Sequence, residues 1–219
     1  SWQADTPITA SPLASGPSVC AYGGQTYCIY SGSIGACIYG NALLYNINNG
    51  TNWVGEAQVP VTNTTLTPSA IVFNGLLYCF HQGNVNNGQL WYNTFNGTSW
   101  QGDKQITASK LVAGVSACVF NGIIYCFYSV STGALCYNYY KNGKWQGEVQ
   151  VPSTSSTQTP AAIVFNDMIY CFHYGAAGSG QLLYNQFDGT NWLGDQLVTT
   201  SPLSAGPGVV LYAFPASAA

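Results

Sequence analysis

Apolar residues in this chain come in short runs that never reach the length of a helix. From residue 69 the pattern reads SAIVF, the turn pair Asn74-Gly75, LLYCFH, a polar stretch NVNNG, QLWYNTF, a second pair Asn96-Gly97, and TSWQGDKQI. Short runs rich in Val, Ile, Tyr and Phe and bounded by Asn-Gly predict strands joined by tight turns. The same order returns further along, with Asn121-Gly122 and Asn166-Asp167 at the first turn and Asn142-Gly143 and Asp188-Gly189 at the last. No stretch combines helical periodicity with caps, so helices are expected to be nearly absent.

The pattern is a tandem repeat. Trp2, Trp53, Trp100, Trp145 and Trp192 each open a phrase of the form Trp-x-small-acid, reading WQAD, WVGE, WQGD, WQGE and WLGD. One supersecondary unit copied at such a period is a solenoid or propeller signature, and four antiparallel strands per copy is that of a β-propeller blade. The expected fold is all-β, a single propeller domain over 1–219 with repeats at about 10–58, 59–106, 107–151 and 152–200. Residues 1–9 look like the fourth strand of a repeat, and 202–214 like the first strand of another. Together they give a partial fifth blade that lacks its two middle strands, and a terminal strand left unpaired favours a homo-oligomer. A longer period is also visible. Repeats two and four share YCFH and GQL, whereas repeats one and three share SPLASG/SKLVAG and a tyrosine in place of the histidine.

Composition narrows the chemistry. Charged residues make up 5% and the four cations are all lysine, with a net charge of -3. Without arginine there is no guanidinium fork for carboxylate or phosphate, and no basic stripe supports nucleic-acid binding. No apolar run approaches the length of a membrane span. A neutral, aromatic, hydrogen-bonding surface suits a neutral, hydroxyl-rich ligand. The chain starts SWQAD, with no signal peptide visible. Its eight cysteines include Cys28, Cys79, Cys126 and Cys171 at one repeat position and Cys20 and Cys118 at another, where Ile71 and Ile163 stand in the other copies. Cysteine that alternates with isoleucine behaves as a core hydrophobe. Mostly free thiols are expected, which favours a cytoplasmic location, the alternative being a secreted mature chain whose signal is already removed. A two-residue turn leaves the alternative pairs Cys20–Cys28 and Cys118–Cys126 one step out of register.

Five of the seven acids (Asp5, Glu56, Asp103, Glu148 and Asp195) belong to the tryptophan phrase, and Asp167 and Asp188 sit in turns. No pair is left over for glycosidase chemistry, so no enzyme is expected, and no metal or cofactor. The acid of each phrase either accepts from sugar hydroxyls or caps a turn by accepting backbone N–H, the turn role being favoured. His81 and His173 occupy equivalent strand ends. They are either partly exposed groups bonded to a neighbouring loop or members of a ligand pocket with Gln82 and Tyr174. Trp53, Trp100, Trp145 and Trp192 serve as packing between blades or as platforms for a sugar face. Trp91, outside the phrase, stands where Leu44, Leu135 and Leu183 or their neighbours occur in other repeats, and is a local packing variant or a platform particular to repeat two. Asp103 and Asp195 complete the candidate set.

Residues 72–103, VFNGLLYCFHQGNVNNGQLWYNTFNGTSWQGD, resemble the repeat of the Photorhabdus-type propeller lectins and their fungal relatives, through FNGxLY, FHQG, GQLWYN and the DGTxW phrase followed by GD. The resemblance covers 53–200 well. It implies multivalent recognition of neutral sugars such as fucose, galactose or N-acetylhexosamine in repeated pockets, without catalysis. The chain departs from that family in having only four repeats and no arginine. The reading from another class is a propeller scaffold for protein–protein interaction.

Overall fold

The computed structural model describes residues 5–33, 42–83, 87–175 and 179–210. Its described elements are strands, all paired antiparallel, with no helix among them. The first sheet is a meander of β1 (Ser18–Tyr22), β2 (Gln25–Gly32), β3 (Ala42–Asn48) and β4 (Ala57–Asn63). The second contains β5 (Ser69–Phe73), β6 (Leu76–Gln82), β7 (Gln89–Phe95), β8 (Lys104–Phe120), β9 (Ile123–Val130), β10 (Ala134–Lys141), β11 (Lys144–Trp145) and β12 (Val149–Ser155). The third is a meander of β13 (Ala161–Phe165), β14 (Met168–Tyr174), β15 (Leu182–Phe187) and β16 (Gln196–Thr199). The sheets do not close on themselves.

The second sheet is two meanders joined through one strand. β8 pairs with β7 up to Lys110, opposite Gln89, and with β9 from Leu111, opposite Val130. The repeat boundary expected at 106/107 therefore falls inside a continuous strand. Four meanders thus follow one another in chain order, the second and third sharing β8.

The turn chemistry is as the sequence predicts. Asn74 and Gly75 take φ of 47° and 73°, and Asn121 and Gly122 take 49° and 70°. These left-handed pairs match the twist of a two-residue hairpin. Asn166 and Asp167 do the same without glycine, at 48° and 55°. Asp188 instead accepts from the backbone N–H of Thr190 and Asn191 at 2.7 and 2.6 Å, which holds its carboxyl below the ordinary range. The last strand of a repeat starts later than TSWQGDKQI suggests. Trp100 makes only an isolated bridge to Phe95, and β8 begins at Lys104. Gly102, at φ 90°, turns the chain away from pairing between them.

The cores lie between successive meanders. Tyr78, Phe80, Leu90 and Tyr92 of the second pack on Ile124, Cys126 and Tyr128 of the third. Phe127, Leu135 and Tyr137 of the third pack on Ile169, Cys171 and Phe187 of the fourth. Each fully buried large side chain contributes roughly 1.5–3 kcal/mol. A serine ladder stitches the inner strands. The Oγ of Ser18, Ser69 and Ser116 accept from the backbone N–H of Ala70, Ala117 and Ala162, each at 2.9 Å. At the next equivalent position the side chain is Ala161.

The seven described cysteines are free thiols. Cys20 lies opposite Tyr27 and Cys118 opposite Tyr125, the one-step offset that prevents a hairpin disulfide. Burial pushes the thiols up, Cys118 to about 12 and Cys20 to about 11. Cys37, Trp2 and the expected terminal strands over 1–4 and 211–214 lie outside the described residues. In the described parts, 5–9 and 202–210 form no strand. No described helix is long and apolar enough to cross a membrane, and no described cluster of three His, Cys, Asp or Glu side chains could hold a metal.

Candidate functional site

Strand pairing sets the histidines beside the acids. His81 on β6 is fully buried, its Nε2 3.3 Å from Asp103 Oδ1 and its Nδ1 2.9 Å from the Gln82 carbonyl. Asn93 on β7 donates to the same Oδ1 at 3.0 Å. His173, Asp195 and Asn185 repeat the arrangement at 3.2 and 3.1 Å. The expectation of partly exposed strand-end histidines is corrected: both rings are at 0% exposure, because the preceding meander covers that face of the strand. Gln82 and Tyr174 do not join them. Alternation along the strand sends neighbours to opposite faces, so Gln82 receives the Thr65 hydroxyl at 3.2 Å, and the Tyr174 hydroxyl lies beside Gly180.

In the first and third meanders tyrosine and glutamate replace this pair. Tyr30 Oη donates to Glu56 at 2.6 Å, and Tyr128 Oη donates to Glu148 at 3.1 Å. Hydroxyls of the preceding segment complete each set: Ser11 on Glu56, and Thr107 and Ser109 on Glu148 at 3.1 and 2.9 Å. Burial raises the Glu56 carboxyl, but bonds from Ser11 and Tyr30 outweigh it, and the group sits below its ordinary range. Burial and the adjoining carboxylate push the Tyr30 and Tyr128 hydroxyls well up.

The acids therefore tie strands together by side-chain bonds. The turn-capping role expected of them falls to asparagine, which has the right reach from the neighbouring strand. The Oδ1 of Asn46, Asn138 and Asn185 accept from the N–H of Gly55, Gly147 and Gly194 at 2.9, 3.1 and 3.0 Å. Sequence reading passed over these asparagines, although a Tyr-Asn pair stands in all four copies.

Trp100, Trp145 and Trp192 are half-buried between meanders, each lying on the one before its own. Trp145 stands edge-on to Phe80 at 5.9 Å and 89°, and Trp192 edge-on to Phe127 at 6.0 Å and 89°. Trp100 lies 5.7 Å from Tyr45. Trp53 packs with Ile8 on the first meander's outer cluster. Trp91 is half-buried against Gly83, where a Cβ would meet its Nε1 at 2.3 Å. The residue opposite Tyr128 at the Trp91 position is Cys136, not Leu135.

Two equivalent surface grooves open beside the turns. One, of about 430 Å³, is lined by Phe73, Asn74, Leu76 and Tyr78 of the second meander and by Tyr140 and Asn142 of the third. The other, of about 180 Å³, is lined by Ile123, Tyr125, Tyr137, Tyr139 and Lys141 of the third and by Phe187 of the fourth. The tryptophans underlie their walls, with Trp145 5.4 Å from Tyr140 and Trp192 5.0 Å from Phe187. Burial raises the Tyr125 hydroxyl to about 12, so it stays a neutral donor. Sequence reading missed these grooves, since each is shared by turns of two different repeats.

An all-β stack of antiparallel meanders with repeated aromatic grooves is a propeller-like scaffold. No family model and no curated protein sequence matches the chain. Solved structures do. A lectin from Burkholderia pseudomallei superposes with a TM-score of 0.70 at 16% identity, over 86% of this chain and 57% of that one. An Aleuria aurantia lectin in complex with Fucα1-6GlcNAc gives 0.61 at 16%, over 86% and 63%. Bacteroides ovatus xyloglucan PUL GH43B, a glycoside hydrolase, gives 0.61 at 14%, over 91% and 43%. The chain thus spans about half the length of these structures. The likeness to propeller lectins expected from the sequence holds at the level of the fold. The expectation of a non-enzyme is overturned: glycoside hydrolases superpose on this fold as well, at TM-scores of 0.61 and 0.59. A count of acids in one chain does not exclude catalysis on it.

Proposed function

We propose that the four meanders are blades of an open propeller and that the protein binds neutral glycans in the grooves between them. The observation that carries this reading is the pair of equivalent grooves walled by Tyr78 and Tyr140 in one case and by Tyr125, Tyr139 and Phe187 in the other. Aromatic faces offer a surface for the apolar face of a sugar ring, while tyrosine hydroxyls and Asn74 and Asn142 offer neutral hydrogen-bonding groups at the rim. The only charge among these lining residues is Lys141, which suits a ligand without charge. In this reading His81, His173, Asp103, Asp195 and the phrase tryptophans form the frame that fixes the groove walls. Two or more weak sites on one molecule engage a glycosylated surface together, so avidity sets the working affinity. The lectins of similar fold support the ligand class.

The test is a neutral-glycan array followed by titration calorimetry on the best binder. Tyr140→Ala combined with Tyr139→Ala is expected to weaken binding at least tenfold, ~1.4 kcal/mol, with the thermal midpoint little changed. Absence of any neutral glycan ligand, or wild-type affinity in the double variant, refutes the proposal. Reducing-end release measured on the same glycans separates retention from turnover.

A further inference from the structure

The grooves lie beside the turns. A separate cavity, of about 410 Å³, opens where the segments that lead into the inner strands converge. These segments meet at one repeat position, two residues before Ser18, Ser69, Ser116, Ala161 and Gly208. The residues there alternate: Gly16, Thr67, Gly114, Thr159 and Gly206. Each glycine makes room for the threonine beside it. A Cβ added at Gly16 would meet Thr67 Oγ1 at 3.5 Å. One at Gly114 would meet the Thr67 carbonyl oxygen at 2.6 Å and Thr159 Oγ1 at 2.9 Å, and one at Gly206 would run into the Thr159 backbone. The first and last members of the series, Gly16 and Gly206, line the same cavity as Thr67 and Thr159. The series therefore runs round the cavity, which sits at the centre of the repeats.

The lining holds no charged and no aromatic side chain. It does hold hydrogen-bonding capacity that the protein leaves unused. Thr67 Oγ1 and the Gln158 side-chain amide are accessible and bond no described group. Thr159 Oγ1 accepts from the Gly114 N–H at 2.9 Å, which leaves its own proton free to donate. The Ser15 Oγ is covered and has no partner, a state that a hydrogen-bonding neighbour in the cavity would relieve. The volume falls within the roughly 300–1,000 Å³ usual for small-molecule sites. Neutral donors and acceptors on several walls, with no flat apolar face, suit a compact molecule that is mostly hydroxyl. The tyrosine-walled grooves suit the opposite, a ring with an apolar face to stack.

We propose that this central cavity is a second binding site, for a small neutral polyol no larger than a single hexose. The Thr67 and Thr159 hydroxyls and the Gln158 amide hold the ligand hydroxyls. In the free protein such a polar cavity is wet, and the polyol takes over the hydrogen bonds of the water it displaces.

The experiment is saturation-transfer NMR of the full chain with glycerol, D-sorbitol and myo-inositol. At least one of the three is expected to give a saturable signal. Gly208 lines the cavity, has no positive φ, and a Cβ there would meet nothing within 4 Å, so Gly208→Leu fills the cavity without displacing protein atoms. It is expected to weaken polyol binding at least tenfold. Thr67→Val keeps the side chain's shape and removes a hydroxyl that bonds no described group, so it is expected to weaken binding about fivefold, the worth of one hydrogen bond. The Tyr139→Ala, Tyr140→Ala double variant is expected to keep wild-type polyol affinity, and Gly208→Leu to keep wild-type binding on the glycan array. Those two results separate this site from the grooves. A saturable signal from none of the three polyols overturns the proposal and leaves the cavity to water. So does wild-type affinity in either cavity variant once its thermal midpoint shows it folded, and so does loss of polyol binding in the tyrosine variant, which would place the polyol in the grooves. Thr67→Val keeps the test decisive if Gly208→Leu does not fold.

Discussion

Removing the Ser69 hydroxyl should cost more than its size suggests. Ser69 is 7% exposed, and its Oγ accepts from the Ala117 N–H at 2.9 Å across the junction of the second and third meanders. Ser69→Ala leaves that N–H without its acceptor, on a residue that is itself only 9% exposed. An orphaned buried donor costs its full desolvation penalty, about 1–3 kcal/mol, rather than the smaller net worth of one hydrogen bond. At the midpoint of that range the folded-to-unfolded ratio falls about 30-fold. Ser18→Ala and Ser116→Ala remove the same bond where the serine is only half-buried, and should cost less. Urea denaturation followed by tryptophan fluorescence measures all three against Ser99→Ala on an exposed turn. If Ser69→Ala is no more destabilising than Ser99→Ala, the ladder is not holding the inner strands together and the reasoning fails.

Gly114→Ala should destabilise by about 1–3 kcal/mol, because a Cβ there would meet the Thr67 carbonyl oxygen at 2.6 Å and the Thr159 hydroxyl at 2.9 Å. Gly208→Ala, with nothing within 4 Å, is the neutral control in the same thermal melts. Glu56 titrates below its ordinary 4.5 in the folded chain. Its contribution to stability is therefore full above about that pH and lost as pH falls through the lowered folded value. Tyr30→Phe removes the 2.6 Å bond on which the shift partly rests. The stability gap between wild type and Tyr30→Phe should narrow in denaturation curves taken from pH 6 down to pH 3, and a constant gap would contradict the assignment.

Local features were readable in the chain because they depend on neighbours in sequence. Asn74-Gly75 and Asn121-Gly122 specify left-handed turns by themselves, and the offset of Cys20 from Cys28 follows from the turn alone. What sequence could not supply is which face of a strand another meander covers. His81 stands at the end of β6, where exposure is the natural expectation, yet the preceding meander closes over it completely. The grooves were hidden for the same reason. Tyr78 and Tyr140 are 62 positions apart and meet only because one meander stacks on the next. Ser69 and Asn46 were legible in principle, as residues kept at one repeat position, but their partners lie on backbone that no side-chain pattern reveals.

The alternation of Tyr–Glu and His–Asp shows why the repeat has a two-unit period. Tyr128 reaches Glu148, which also takes hydroxyls from Thr107 and Ser109 on the preceding strand. The positions equivalent to Thr107 and Ser109 that precede His81 are Pro60 and Thr62, and the Thr62 hydroxyl turns back to the Val59 carbonyl at 2.7 Å. With no hydroxyls offered from that side, a long carboxylate would lose two of its partners. Aspartate, which reaches only histidine and asparagine, is the acid that the smaller set can satisfy. His81, Asp103, Pro60 and Thr62 therefore behave as one exchangeable group, and so do Tyr128, Glu148, Thr107 and Ser109. An exchange at a single member leaves a buried polar atom without a partner, whereas duplication of a two-meander unit carries each group over whole.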